Sequence, residues 1–224
     1  MIVKDKERFK PVSSLFGIFI RPAQAQCDLP KAQFEGKRSI QRCINDLLAK
    51  LEETDKYTVN HSKEVAEISE LFARKLNLPE DKVEKVKQAA LLHDVGKIDI
   101  PEKILNKPKS LCPEELTVIQ EHSQLGAEKI STKYPELKEL IPAIMAHHEH
   151  WNGAGYPAKL SKTQIPIESR IISIADTYHA MRGRCYRKSA SVHESCKTLL
   201  EGAGSQWDPI LTDKFVKLVL TNQI

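Results

Sequence analysis

The chain has no run near the roughly 18 apolar residues that a membrane span requires, no CxxC cysteine pair, no internal repeat and no low-complexity segment. Each absence removes a class of protein. Its five cysteines, Cys27, Cys43, Cys112, Cys185 and Cys196, are scattered and odd in number. That usage predicts reduced thiols in a cytoplasmic protein rather than a disulfide framework or a cysteine-built zinc site. Charge of one sign is also scarce: 34 Lys and Arg stand against 30 Asp and Glu, a net +4 that is too mild to argue for duplex nucleic acid. Lys4, Lys6, Arg8 and Lys10 precede "LFGIFI" (15–20) and "AQA" (24–26), the outline of a signal peptide. The apolar stretch is short, and Arg21 and Pro22 interrupt it, so secretion is not expected.

What remains is an ordinary globular composition, 41% hydrophobic and 29% charged over 224 residues, which is enough chain to bury a core without a staple. Residues 1–36 lack a helical period and contain Pro11, Pro22 and Pro30, so they read as an irregular arm with one short strand at 15–20. From 37 to 224 the pattern is helical. Ile40, Ile44, Leu47, Leu48 and Leu51 recur at three- and four-residue steps, and Val65, Ile68 and Phe72 form the next stripe over 57–76. Further helices are expected at 80–95, from "CPEEL" onward, and at 136–148, 166–181, 192–201 and 208–222. The fold class is all-α, a helical bundle.

Histidine is distributed unevenly. "HHEHWNGAGYP" (147–157) holds three of the eight histidines and two of the nine glycines. Its first half can end a helix, but Gly153, Gly155 and Pro157 require a shaped loop after it. His61 lies on the stripe of Val65, Ile68 and Phe72, and His93 and Asp94 extend the face of Val83, Val86 and Ala90. His122 is spaced three after Ile119 and four before Gly126, and His147 and His148 follow Leu140, Ile141 and Ile144. Asp176 sits within the apolar helix "SRIISIADTYHAM" (169–181). Any one of these could be a satisfied core group. Five inward histidines and two inward aspartates together are another matter, because a buried carboxylate is costly unless paired or metal-bound.

This is an N/O donor set without cysteine, suited to iron, manganese or zinc. Seven side chains exceed the needs of one ion. Two ions sharing one carboxylate are expected, with Asp94 as the bridge because it is adjacent to His93 and central in the set. Such a pair can activate a water for phosphoryl displacement. Lys97, one turn after His93, is placed to meet a phosphate oxygen.

At this point the residues resemble the HD-GYP branch of the HD phosphohydrolase superfamily. The motifs are "YTVNHS" (57–62), "LLHDVGKIDIPEKILNKP" (91–108), "EHSQLGAE" (121–128), "HHEHWNGAGYP" (147–157), "IPIESRIISIADTYHAM" (165–181) and "GSQWDP" (204–209), in order over about residues 40–222. The resemblance implies hydrolysis of a cyclic dinucleotide, chiefly cyclic di-GMP, to a linear dinucleotide or GMP. It implies that His61, His93, Asp94 and Asp176 hold one divalent ion and that Asp94, His122, His147 and His148 hold the other. Iron or manganese is expected, and zinc is compatible. Lys97 is similar to the family's phosphate-contacting lysine. "RCYR" (184–187) looks like a ligand-contacting segment, implicating Arg184, Tyr186 and Arg187. The loop of Gly153, Gly155, Tyr156 and Pro157 implies a protein partner of diguanylate-cyclase type.

The chain departs from the family at several positions. Tyr57 stands where some members have a glutamate that supports a third metal, so two metals are expected. His150 and Asn152 replace an arginine and an aspartate beside the glycines. His179 stands where an aspartate usually follows the metal aspartate by three, and the stretch before "RCYR" is one residue shorter. Two readings of function follow: a metal-dependent cyclic dinucleotide phosphodiesterase, or a module that keeps the fold and acts as a signalling adaptor.

Overall fold

The computed structural model describes residues 31–183 and 189–224. Among them α1 (Lys31–Thr54), α2 (Lys56–Lys75) and α3 (Glu80–Leu92) form the first three helices. A 3-10 turn at Val95–Asp99 leads to α4 (Glu102–Leu105), α5 (Pro113–Gln120) and α6 (His122–Lys133). A second 3-10 turn, Pro135–Leu140, precedes the short α7 (Ile141–Met145). The long loop after it contains the 3-10 turn Lys162–Gln164 and leads to α8 (Ile167–Arg182), α9 (Val192–Gly202) and α10 (Pro209–Leu220). No strand occurs among the described residues, only an isolated bridge between Ala203 and Trp207. The all-α expectation holds. None of these helices is long and apolar enough to cross a membrane.

Local signals set the helix starts. Asp55 opens α2 by accepting from Thr58 N at 3.1 Å and Thr58 Oγ1 at 2.5 Å. Asp208 opens α10 by accepting from Ile210 N and Leu211 N, with Pro209 following it where a missing N–H costs nothing. Ser191 and Glu194 form a capping box at α9.

Two apolar clusters organise the bundle. The first gathers Ile44, Leu47, Val65, Ala90, Leu92, Val95, Ile144, Ile172 and Ala175 from α1, α2, α3, α7 and α8 and the turn after α3. The second gathers Phe72, Val83, Ile171, Ile174, Leu199 and Phe215 from α2, α3, α8, α9 and α10. Phe72 and Phe215 meet edge to face, 5.0 Å between centroids. Helices α2 and α8 serve both clusters, so they are held along their length, at about 1.5–3 kcal/mol per fully buried aliphatic or aromatic side chain.

Three boundaries differ from the sequence expectation. Helix α1 begins at Lys31, six residues before the expected start at 37. The helix expected over 80–95 ends at Leu92, because the chain turns at Asp94 (φ −98°, ψ 8°) to bring Gly96 against α6. The helix expected over 136–148 is a 3-10 turn followed by five α-helical residues, since Pro135 and Pro142 each remove a backbone donor. The strand expected at 15–20 lies outside the described residues.

Candidate metal centre

Six of the seven expected ligands are next to, or one turn from, a residue of the first cluster; His122 is placed instead by the junction of α6 with the turn after α3. Leu92 and Val95 flank His93 and Asp94, Ala175 precedes Asp176, and Ile144 lies one turn before His147. Packing therefore places the polar groups, and they converge from five segments: α2, the end of α3, the start of α6, the turn after α7, and α8.

The close approach of α6 to the turn after α3 needs two glycines. A β-carbon on Gly96 would overlap the His122 carbonyl and lie 2.5 Å from Gly126 N. A β-carbon on Gly126 would lie 3.1 Å from Gly96 N. With no side chain at either position, His122 Nε2 comes to 3.3 Å from Asp94 Oδ1. The other carboxylate oxygen, Asp94 Oδ2, is 3.3 Å from His93 Nε2 and 2.7 Å from Lys97 Nζ. His122, His147 and His148 form one group of donors and His61, His93 and Asp94 another, each with its ligand atoms within 4.8 Å of one another. Asp176 Oδ1 is joined to the second group through His61 Nε2 at 2.8 Å.

The imidazole protons can be counted. The Nδ1 atoms of His93, His122 and His147 lie 2.7, 2.7 and 2.5 Å from the carbonyls of Ala90, Ile119 and Ile144. A carbonyl only accepts, so each Nδ1 carries the proton and each Nε2 of a neutral ring presents a lone pair. His122 Nε2 and His147 Nε2 then face each other at 3.2 Å, and both lone pairs point into the same space. That contact is repulsive unless a cation lies between the rings, and main-chain bonds at the opposite nitrogen are how metal-bound histidines are held.

Protonation states agree. Burial, and then its histidine neighbours, hold His147 well below the usual imidazole value. Burial and then His122 bring His148 down to about 4. Both are neutral, ligand-ready rings at pH 7. His93 differs: burial opposes its charge, yet Asp94 and then Asp176 pull it up to about 9, so positive charge is favoured beside these carboxylates. The donor set thus fits divalent cations, with Asp94 and Asp176 supplying the negative charge.

His61, Asp94, His122, His148 and Asp176 line one wall of a pocket of about 560 Å³, within the usual range for ligand sites. Tyr57, Leu105, Ile119 and Tyr156 supply apolar surface around it. Asp176, expected to point inward, does so at the edge of the opening that α8 borders, with its side chain 21% exposed. Lys97, expected as a phosphate contact, lies in the pocket with its ammonium paired to Asp94. Arg184, Tyr186 and Arg187 lie outside the described residues.

The glycine loop turns back onto the site. A β-carbon on Gly155 would overlap the backbone of His148–His150, and Gly153 adopts φ +83°. Tyr156, expected in a partner loop with Pro157, lines the pocket and stacks on His148, centroids 4.8 Å apart. Burial, and then Asp94 and Asp176, push its phenol up, so it remains a donor. Sequence reasoning missed the residue that pins this loop. Glu149, 3% exposed, accepts from Ala158 N at 2.6 Å and Leu160 N at 3.0 Å. The loop is also tied to "GSQWDP" through Trp151 N to Gln206 O and Asn152 N to Ser205 O, which explains why those motifs occur together.

Comparison with known proteins agrees with this geometry. The HD domain family model matches residues 42–211. Over 166 residues the chain is 34% identical to a cyclic di-GMP phosphodiesterase of Thermotoga maritima, covering 73% of this chain and 45% of that one. Over 179 residues it is 34% identical to a 3'3'-cGAMP-specific phosphodiesterase of Vibrio cholerae, covering 79% and 34%. The chain spans less than half the length of these curated relatives. An HDG"Y"P protein from Bdellovibrio bacteriovorus superposes with a TM-score of 0.62 at 21% identity, over 84% of this chain and 63% of that one. The HD domain of a Listeria monocytogenes phosphodiesterase superposes at 0.52 and 18% identity, over 79% and 86%. At these identities the superpositions establish the fold.

Proposed function

The chain belongs to the HD domain family, and from that membership and its site we propose that it is a metal-dependent phosphodiesterase that hydrolyses a cyclic dinucleotide to a linear dinucleotide or mononucleotide. Cyclic di-GMP is the first candidate substrate and cyclic GMP-AMP the second, from the activities of its relatives. The observation that carries the proposal is the Asp94 carboxylate. Its two oxygens face different donor groups, Oδ2 toward His93 and Oδ1 toward His122, as a bridge between two cations requires.

In this reading His61, His93, Asp94 and Asp176 hold one ion, and Asp94, His122, His147 and His148 hold the other. Iron or manganese is favoured, and zinc is compatible with the same donors. Bound divalent ions would supply Lewis acidity, lowering the pKa of a shared water and neutralising charge on the phosphoryl group.

The chain's own groups do the rest. Lys97 has three N–H donors and gives one to Asp94, leaving others to meet a non-bridging phosphate oxygen. Burial opposes its charge, but Asp94 outweighs that and keeps the ammonium protonated. The Tyr156 phenol offers a second donor over the same wall. Tyr57, Leu105 and Ile119 offer apolar surface to the bases and keep bulk water from that side of the pocket. The catalytic unit is the HD-GYP-like domain expected over 37–224, extended to Lys31 by α1. Arg184, Tyr186 and Arg187 are proposed to complete substrate binding, and the loop of Gly153, Gly155, Tyr156 and Pro157, with its exposed neighbours Asn152 and Ala154, to offer a surface to a diguanylate-cyclase-type partner.

The test is product analysis with protein loaded with iron or manganese. Linear dinucleotide or GMP from cyclic di-GMP, abolished by Asp94→Ala, is expected. Tight dinucleotide binding with no hydrolysis of either cyclic di-GMP or cyclic GMP-AMP would move the protein to the adaptor class.

A further inference from the structure

His93, His122 and His147 are each oriented by a main-chain carbonyl three residues earlier. His61 is not. It lies inside α2, where the backbone carbonyls are taken up by the helix, so no free carbonyl is available to its ring. Its Nδ1 instead lies 2.7 Å from Nδ1 of His179, on α8. The far nitrogen of His179, Nε2, is hydrogen-bonded to the carboxylate of Glu64, one turn after His61 on α2.

The protons in this chain of groups have one arrangement that leaves His61 able to ligate. A carboxylate accepts, so His179 Nε2–H donates to Glu64 and its Nδ1 presents a lone pair. His61 Nδ1–H then donates to that lone pair, and His61 Nε2 is left with its own lone pair toward Asp176 and the second donor group. The reverse arrangement would put a proton on His61 Nε2 and remove it as a ligand. The His179 ring is 13% exposed and fits under Gly183, where a β-carbon would lie 3.1 Å from two of its ring atoms. It is therefore held in one orientation from both sides.

We propose that His179, fixed by Glu64, is the positioning residue for His61, setting its tautomer and ring angle by a side-chain relay where His93, His122 and His147 use the backbone. The relay makes α2 and α8 interdependent: the ring that ligates from α2 is aimed from α8, the helix that carries Asp176. This inference rests on the metal reading proposed above.

The experiment measures metal affinity by competition with a chromophoric chelator, using manganese, beside thermal unfolding of the metal-free proteins. His179→Phe keeps the ring shape and removes the acceptor, and should weaken binding by about 10- to 100-fold. His179→Asn and His179→Asp place an oxygen where Nδ1 stood and should bind within a few-fold of the parent. Glu64, 61% exposed, can be removed without loss of packing, and Glu64→Ala should bind more weakly than the parent and more tightly than His179→Phe. Parent-like affinity in both His179→Phe and Glu64→Ala, or an Asn variant as weak as the Phe variant, overturns the relay alone. A parent protein that binds no manganese, iron or zinc overturns the metal reading and the relay with it.

Discussion

Asp94 Oδ1 stands 3.3 Å from His122 Nε2, across a junction where neither Gly96 nor Gly126 has a side chain to keep the two segments apart. The distance is too long for a good hydrogen bond, and neither atom carries a proton when the His122 ring is neutral. Burial lowers the His122 pKa, so it is neutral at pH 7. An acceptor facing an acceptor in a buried site is what a shared cation would relieve.

Asp94→Asn is therefore expected to do more than remove one ligand. In the two-metal reading both ions would share this carboxylate, so metal content should fall from two equivalents toward none, and turnover should be lost with it. Elemental analysis of parent and variant, purified anaerobically, decides the point. A variant that retains two equivalents would show that Asp94 is not a bridge.

Lys97 separates from the ligands by the same measurement. Its ammonium pairs with Asp94 and borders the pocket. Lys97→Ala should leave metal content near two while lowering kcat by about 100-fold or more, the usual effect of deleting a donor aimed at transition-state charge. An unchanged kcat with a raised KM would instead make Lys97 a ground-state phosphate contact.

The sequence exposed the proposed ligands and hid their supports, for physical reasons. Ligand histidines fall on apolar stripes, and a stripe reads directly from spacing, as His61 does with Val65 and Phe72. The all-α class and most helix boundaries followed from the same periodicity. Supports depend on pairs distant in the chain, such as His179 with His61 or Glu149 with Leu160, which no local pattern encodes. His179 was visible as a departure from the family's aspartate, but its role needed the α2–α8 contact. The family resemblance puts Tyr156 in a partner loop; that Gly155 also lets the loop fold back and bring this ring to the pocket needed the structure.

The glycine junction gives a paired prediction. Gly96→Ala forces backbone against backbone, and overpacking of this kind costs about 1–3 kcal/mol or more. For a chain of this size that is a fall of roughly 5–10 °C in Tm, accompanied by weaker metal binding. Gly36 lies on the exposed face of α1 with nothing within 4 Å of its missing β-carbon. Gly36→Ala should raise stability by about 0.5–1 kcal/mol. Calorimetry on both variants checks the contrast, and a harmless Gly96→Ala would contradict the close approach.

Acid should loosen the α2–α3 pair through Glu70. Its carboxylate accepts from Lys87 at 2.7 Å and from Arg74 at 3.0 Å, and these partners, Lys87 first, hold it below the usual glutamate value of 4.5. A carboxyl whose folded pKa is depressed adds stability that is present above its unfolded pKa and is lost as pH falls through the folded one. Glu70→Gln should thus lower Tm slightly at pH 7, and the gap should close below about pH 4.5. Thermal melts of both proteins from pH 3 to 7 test this; a gap independent of pH would assign the loss to packing.

Glu149 gives the sharpest test of how the loop reaches the pocket. Two backbone N–H groups, of Ala158 and Leu160, end on one carboxylate that is almost fully enclosed. Glu149 also follows His148 directly, so a pull on the loop is transmitted to a ligand and to the ring of Tyr156 stacked upon it. Hydrogen bonds to a charged acceptor contribute about 1.5–3 kcal/mol each, and Glu149→Ala leaves both donors without it. Glu149→Gln keeps one acceptor oxygen and replaces the other with a donor that opposes an N–H. The Ala variant should lose stability and show a raised KM as Tyr156 moves from the wall, while the proposed ligands on α2, just after α3 and on α8 keep their positions. The Gln variant should fall between it and the parent. Hydrogen exchange at Ala158 and Leu160 reads the loosening directly, and protection equal to the parent's in the Ala variant would mean that the glycine turns alone hold the loop.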